Sequence, residues 1–397
     1  MKYGFAKRVQ HLQGSEVREL LKIIESGSVI SFAGGLPDES LFPIKAVEDA
    51  FEKTFLSGKK ALQYGVTEGF TPLRDLIVEL MKKQEIVTTT NELLLTTGSQ
   101  QAIDLFSRIM FNPGDIILTE NPTYLAALQV FKSCEAKILP VSSDEHGMLP
   151  DDLEYKIRKY KPKCIYVVPT FSNPTGRVWS MERRQKLLEY AKRKNVIIFE
   201  DDPYGQIKFD DQKYLPIAAL DQSGTQVVYT STFSKTVVPA LRTGWIKGPH
   251  QIIRMMTQAK QAADLHSNSL SQQALYHLCT DFNLDNHIKE IRAVYHNRMK
   301  IMLELLDSAN IPNISYNIPK GGMFFWVTLP ENIDATKLLT ACIQKGVAYV
   351  PGKPFYVSSP ELNTLRLNFS HSTPDKLREG MSTLVDVFAA ESKLQNV

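Results

Sequence analysis

Residues 229–245 read Tyr-Thr-Ser-Thr-Phe-Ser-Lys-Thr-Val-Val-Pro-Ala-Leu-Arg-Thr-Gly-Trp. Lys235 stands between Phe233 and the pair Val237 and Val238. A lysine among apolar neighbours loses basicity, because burial disfavours the charged form. A neutral amine attacks a carbonyl carbon and forms a Schiff base. Thr232 and Ser234 place hydroxyls beside that lysine, and Arg242 follows seven positions on. Hydroxyls beside a guanidinium suit a dianionic phosphate. The stretch therefore suits a ligand with both a carbonyl and a phosphate. Its plainer reading is a surface loop with one solvated lysine, so the surrounding elements have to decide.

Those elements follow an α/β rhythm from about residue 92. Short apolar strands are expected at 93–96, 116–119, 136–139, 164–168, 196–200 and 227–230. Helices at 100–110, 123–131, 150–160 and 181–194 separate most of them. Strands apolar on both sides and alternating with helices predict a mostly parallel sheet covered on both faces. Residues 244–247 are expected to add an antiparallel strand. Beyond a long helix from about residue 286, the pattern alternates at 314–317, 323–329, 347–350 and 364–369, as in a half-exposed antiparallel sheet. The expected architecture is α/β: a large domain over 46–285, and a smaller α+β domain made of 1–45 and 286–397, with the long helix as hinge. A short amphipathic helix is expected at 15–27, with Ser15 as cap and Gly27 as stop.

In open α/β sheets ligands gather beyond the carboxyl ends of the strands. Gly98-Ser99-Gln100 follows the first strand and opens a helix, where free amides and a hydroxyl bind anions. Tyr124 follows the second and can stack on a planar ring. Asn173, in Asn-Pro-Thr-Gly, has an extended backbone that can aim its amide inward. Glu200-Asp201-Asp202-Pro203-Tyr204 ends the fifth strand in carboxylates. One of them would meet a cation such as a pyridinium nitrogen, and Tyr204 can reach a ring oxygen. Taken singly, these are a capped glycine turn, a core tyrosine, an Asn-Pro turn and an Asx turn. Taken together, in this order and ahead of Lys235, they point to pyridoxal 5'-phosphate.

With these residues in view, the chain resembles the fold-type I pyridoxal-phosphate aminotransferases of class I/II, from Ser31 to Phe369. Its opening looks most like the 2-aminoadipate and kynurenine types. The resemblance implies that Lys235 forms the Schiff base, that Asp201 pairs with the ring nitrogen, and that Asn173 and Tyr204 bond the ring oxygen. It implies that Tyr124 stacks on the ring and that Ser99, Gln100, Thr232, Ser234 and Arg242 form the phosphate cup. Arg366 resembles the arginine that holds the substrate carboxylate, with Gly35 and Leu36 lining the pocket. Tyr64 would cross to the neighbouring subunit's phosphate, which implies a homodimer with shared active sites. Arg18 resembles the arginine that meets a distal carboxylate in aminoadipate members. The plainer readings are an outward strand residue for Arg366 and a solvated helix residue for Arg18.

The implied activity is a ping-pong transfer of an amino group between an L-amino acid and a 2-oxo acid. Glutamate and 2-oxoglutarate are expected as one pair, and 2-aminoadipate, aromatic or branched-chain amino acids as the other. Apolar residues expected near the pocket include Leu265. A lyase or synthase using the same cofactor is the alternative. So is a ligand-sensing domain of a transcription regulator, for which the residues before Ser15 leave no room.

Bulk properties agree. A net charge of +3 over 397 residues is too small to point to nucleic acid or a membrane surface. No apolar run approaches the ~20 residues that span a bilayer, and the start of the chain lacks a leader's apolar core. The four cysteines lie far apart, as in a cytoplasmic protein with reduced thiols. The histidines show no metal-ligand spacing, so no metal is expected.

Overall fold

The computed structural model describes residues 3–9 and 29–394. The helix expected at 15–27, and Arg18 with it, lie outside the described residues. A short strand, β1 (Ile30–Ser31), comes before the chain's largest sheet. That sheet is built from β2 (Leu93–Thr96), β3 (Ile116–Thr119), β4 (Lys137–Pro140), β7 (Cys164–Val167), β8 (Ile197–Asp201), β9 (Val227–Thr232) and β10 (Gly244–Lys247). A small hairpin, β5 (Ser143–Asp144) with β6 (Gly147–Met148), precedes β7. The order across the sheet is β2-β10-β9-β8-β7-β3-β4. Only β10 runs antiparallel to its neighbours, β2 and β9. Every residue of β2, β7, β9 and β10 is buried, in keeping with the apolar runs Leu93–Leu95, Cys164–Val167 and Val227–Tyr229.

Helices Gly98–Met110 and His250–Asp264 pack on each other against one part of the sheet. Pro150–Tyr160 and Met181–Lys194 form another pair. Local chemistry sets these ends. Pro72 and Pro150 stand in first turns, where a missing amide costs nothing. Ser180 accepts from the Arg183 amide, and Asn195 ends that helix in the left-handed region at φ 53°.

The second sheet joins β11 (Ser315–Tyr316), β12 (Phe324–Thr328), β14 (Val350–Pro351) and β15 (Thr364–Asn368) in the order β11-β12-β15-β14, all antiparallel. The single strand expected at 347–350 is two short strands. β13 (Val347–Ala348) pairs in parallel with β1, while β14 joins β15. The chain changes sheets at Tyr349, a buried residue whose hydroxyl is tied to the Ala335 carbonyl. Helices Leu284–Ser308 and Pro374–Leu394 pack together over this part of the chain. Arg298 of the first pairs with buried Asp38 and bonds the Ser370 carbonyl, and Ser370 Oγ donates to the Leu36 carbonyl. These contacts tie Leu36 and Asp38 to the segment just after β15 and to the long helix. Among the described residues, no helix is long and apolar enough to cross a membrane.

Candidate active site

The ends of β2, β7, β8 and β9 enclose a cavity of about 270 Å³. Lys235 closes the 3₁₀ turn Phe233–Lys235 directly after β9. The Phe233 amide donates to the Thr243 carbonyl, and the Ser234 amide donates to Thr232 Oγ1 at 3.1 Å. These bonds fold the turn back onto the segment that carries Arg242. The lysine Nζ lies in the cavity and donates to the Gly35 carbonyl at 2.7 Å. Burial, reinforced by the Arg366 and Arg242 cations, pushes its pKa down to about 8.

One end of the cavity is built for an anion. Arg242 donates to Ser234 Oγ at 3.4 Å, and Ser99 and Gln100 begin the helix opposite. Glycines make this approach possible. Gly98 has φ 70°, and a Cβ there would lie 2.7 Å from an Arg242 guanidinium nitrogen. A Cβ on Gly244 would lie 2.8 Å from the Gly98 carbonyl carbon and 2.9 Å from the Ser99 amide. Tyr124 donates to Gln100 Oε1 at 3.3 Å and lines the cavity wall.

The other end is built for a cation. Asp201, the last residue of β8, accepts from the Tyr166 hydroxyl at 2.8 Å through Oδ2, while its buried Oδ1 has no partner among the described residues. Burial pushes its carboxyl up to about 7, opposed by the Tyr166 bond and reinforced by Asp202. Asp202 takes the other role. It accepts from the Gly205 amide and the Tyr229 hydroxyl, both at 2.9 Å, and the first of these bonds closes a local turn three residues on. Glu200 is likewise occupied, accepting from the amides of Ile217 and Ala218.

Between the two ends, Arg366 donates to Asn173 Oδ1 and to the Ala33 carbonyl, both at 2.6 Å. Its guanidinium lies 4.3 Å above the Phe324 ring and 5.2 Å from Phe355, and burial lowers its pKa to about 10. Tyr204 packs edge-on against Phe324, and burial raises its hydroxyl pKa.

Lys235, Asp201, Tyr204, Ser99, Gln100, Tyr124, Asn173, Thr232, Ser234, Arg242, Arg366 and Gly35 thus meet around one cavity. Leu36 does not join them. Its carbonyl is held by Ser370, and its side chain stands 54% exposed. Tyr64 is 78% exposed, edge-on to His266, and stands outside the cavity wall in the single chain. Leu265 also lies outside it, on a surface cleft with Gly65 and His250. Sequence reasoning missed Val168 and Pro203 on the wall, and Tyr166 behind Asp201. The period-two alternation of β7 and β8 is the signal for Tyr166, but using it requires the strand register.

Residues 29–384 match the family described as aminotransferase class I and II. The chain belongs to that family. Aromatic-amino-acid aminotransferase 1 of Thermococcus litoralis is 41% identical over 98% of this chain and 95% of its own length. The kynurenine aminotransferase of Pyrococcus horikoshii, solved with PMP, superimposes with a TM-score of 0.93 at 42% identity, covering 98% of this chain and 97% of that one. The α-aminoadipate aminotransferase of Thermus thermophilus, complexed with N-(5'-phosphopyridoxyl)-L-leucine, gives 0.92 at 32% identity, with 98% of each chain covered. This aminotransferase is pyridoxal phosphate-dependent, and its own residues fit the cofactor. The unpartnered Asp201 oxygen at one end suits a ring N–H, and the hydroxyl, amide and guanidinium cup at the other suits a phosphate.

Proposed function

We propose that the cavity residues divide the work of transamination as follows. Ser99, Gln100, Thr232, Ser234 and Arg242 hold the phosphate, and Tyr124 covers the ring. Asp201 holds the ring nitrogen in its charged form, and Asn173 and Tyr204 serve the ring oxygen. Pyridoxal phosphate, when bound, supplies the aldehyde that accepts the amino group and the ring that takes up electrons from Cα. Arg366 receives the substrate carboxylate, with Gly35 beside it. Its fork matches a carboxylate in two parallel bonds and so fixes the direction of the Cα–H bond. Lys235 Nζ, released from the Gly35 carbonyl, takes the Cα proton as general base and returns a proton as general acid. A pKa depressed toward 8 suits both duties near neutral pH.

The observation that carries this reading is the pairing of a depressed-pKa amine and an unpartnered carboxylate oxygen across one cavity. For substrates, we infer glutamate and 2-oxoglutarate as one pair, and 2-aminoadipate, aromatic or branched-chain amino acids as the other. The names of the relatives support the aromatic and 2-aminoadipate part of that range, and the leucine adduct of one supports the branched-chain part. Two sites shared across a homodimer accord with an exposed apolar run at Leu56, Leu62, Tyr64 and Val66. Cytoplasmic residence accords with four free cysteines.

A screen of amino donors against 2-oxoglutarate tests the reading. Formation of glutamate from 2-aminoadipate, an aromatic amino acid or leucine supports it. Release of pyruvate and ammonia from a β-substituted amino acid, with no glutamate formed, overturns it in favour of a lyase. For Arg18→Ala, weaker binding of 2-aminoadipate with unchanged handling of leucine supports the dicarboxylate assignment, and an equal effect on both removes it.

A further inference from the structure

Tyr166 is the third residue of β7, and the parallel register sets it opposite Phe199 of β8. Residues two apart on a strand share a face. Asp201 therefore stands on the Phe199 face, one step along from Tyr166. Both side chains are buried, and the Tyr166 hydroxyl donates to Asp201 Oδ2 at 2.8 Å. It is the one donor that the described residues give to this carboxyl. The Tyr166 ring is held from two sides, by Phe131 at 5.4 Å edge-on and by Phe199 at 5.8 Å, stacked. Tyr166 lies behind the cavity wall, whereas Asp201 is part of it. The other titratable groups that act on this pair are Asp202 on the same loop, Tyr204 beyond it, and Tyr124 from the β3 side.

A carboxylate in a dry site needs donors to stay charged. Asp202 has two, one of them a backbone amide. Asp201 has only a hydroxyl, and that hydroxyl occupies one oxygen and leaves the other unpartnered. Asp201 must keep one oxygen tied so that its carboxyl plane is fixed, and one oxygen available so that a ligand can be met.

We propose that Tyr166 is a positioning residue for transamination: its hydroxyl ties Oδ2 of Asp201, which leaves Oδ1 as the oxygen offered to the cofactor's ring nitrogen and favours the ionised carboxylate. The proposal rests on the role given to Asp201 above. Without the hydroxyl, the carboxyl is free to rotate and to protonate, and either change weakens its hold on the ring.

Tyr166→Phe keeps the ring and its two aromatic neighbours and removes only the donor. The holoenzymes of wild type, Tyr166→Phe and Asp201→Asn are compared. Cofactor dissociation is followed by the visible absorbance during dialysis against phosphate, kcat/KM is measured across pH, and melting temperature reports the fold. For Tyr166→Phe the expected result is cofactor release faster on the order of tenfold and an acid limb moved to higher pH, at a melting temperature near that of wild type. Asp201→Asn should lose the cofactor faster still. If Tyr166→Phe matches wild type in release rate and acid limb while Asp201→Asn is impaired, the Tyr166 proposal is overturned and the role of Asp201 stands. If Asp201→Asn also matches wild type, both fall.

Discussion

The Lys235 amine and the Gly35 carbonyl, 200 residues apart in sequence, are joined by a 2.7 Å hydrogen bond. The bond spans from the end of β9 to the segment that β1 leads into. It gives a buried, partly neutral amine a polar partner that it can leave at little cost. In the mechanism we propose, Lys235 leaves this bond for its chemistry and frees the Gly35 carbonyl beside Arg366, the proposed carboxylate site.

In the mechanism we propose, Lys235→Ala removes both the nucleophile and the proton carrier. The visible absorbance of the bound cofactor should change to that of the free aldehyde, and turnover should drop by ~10²–10⁴-fold or more. Retention of normal turnover in this variant would remove Lys235 from the mechanism.

Capture of the cofactor by the unliganded protein should depend on pH through Lys235. Its folded pKa, about 8, lies below the usual lysine value. Below 8 the amine is protonated in both the folded and unfolded chains, and the folded state carries the cost of a buried cation. From about 8 upward the folded chain binds fewer protons than the unfolded one, so this group's contribution to stability rises with pH. The rate of cofactor capture should climb about tenfold per unit well below pH 8 and level off above it. A flat stopped-flow profile between pH 6 and 9 would contradict the depressed pKa.

Gly98→Ala should loosen the phosphate cup. A non-glycine residue at φ 70° costs about 1–3 kcal/mol. Its Cβ would also push on the Arg242 guanidinium from 2.7 Å. The expected outcome is a lower melting temperature and a rise in the cofactor Kd on the order of tenfold. An unchanged Kd would show that Arg242 is not held against the helix start.

Arg366→Lys keeps the charge and loses the planar fork over Phe324. KM for both amino and 2-oxo acids should rise by ~10–100-fold, with the cofactor Kd unaltered. Steady-state kinetics beside cofactor titration separate the two. A cofactor defect without a KM defect would assign the arginine elsewhere.

The strand-end residues are legible in sequence because a local rule governs them. An apolar run followed by polar residues marks the carboxyl end of a buried strand, and a ligand site in such a sheet collects there. Lys235, Asn173 and Ser99 need no more than this. The helices at Pro150–Tyr160 and Met181–Lys194 are likewise readable to the residue, from periodicity and end signals.

Other features depend on partners far along the chain. Composition cannot separate Asp201 from Asp202. One faces the cavity and the other closes a turn, because alternate residues leave a strand end on opposite sides and Tyr229 waits on one of them. Tyr166 reads as a core aromatic until the β7–β8 register places it one step from Asp201. Leu36, next to cavity-lining Gly35, turns outward because Ser370 holds its carbonyl from a strand end 334 residues away. The switch at Tyr349 between two sheets is set by what lies beside it, not by its own alternation. The order of residues along the chain specified the kinds of side chain at each strand end. Register and packing, which are non-local, specified which of them meet and which oxygen is left for the ligand.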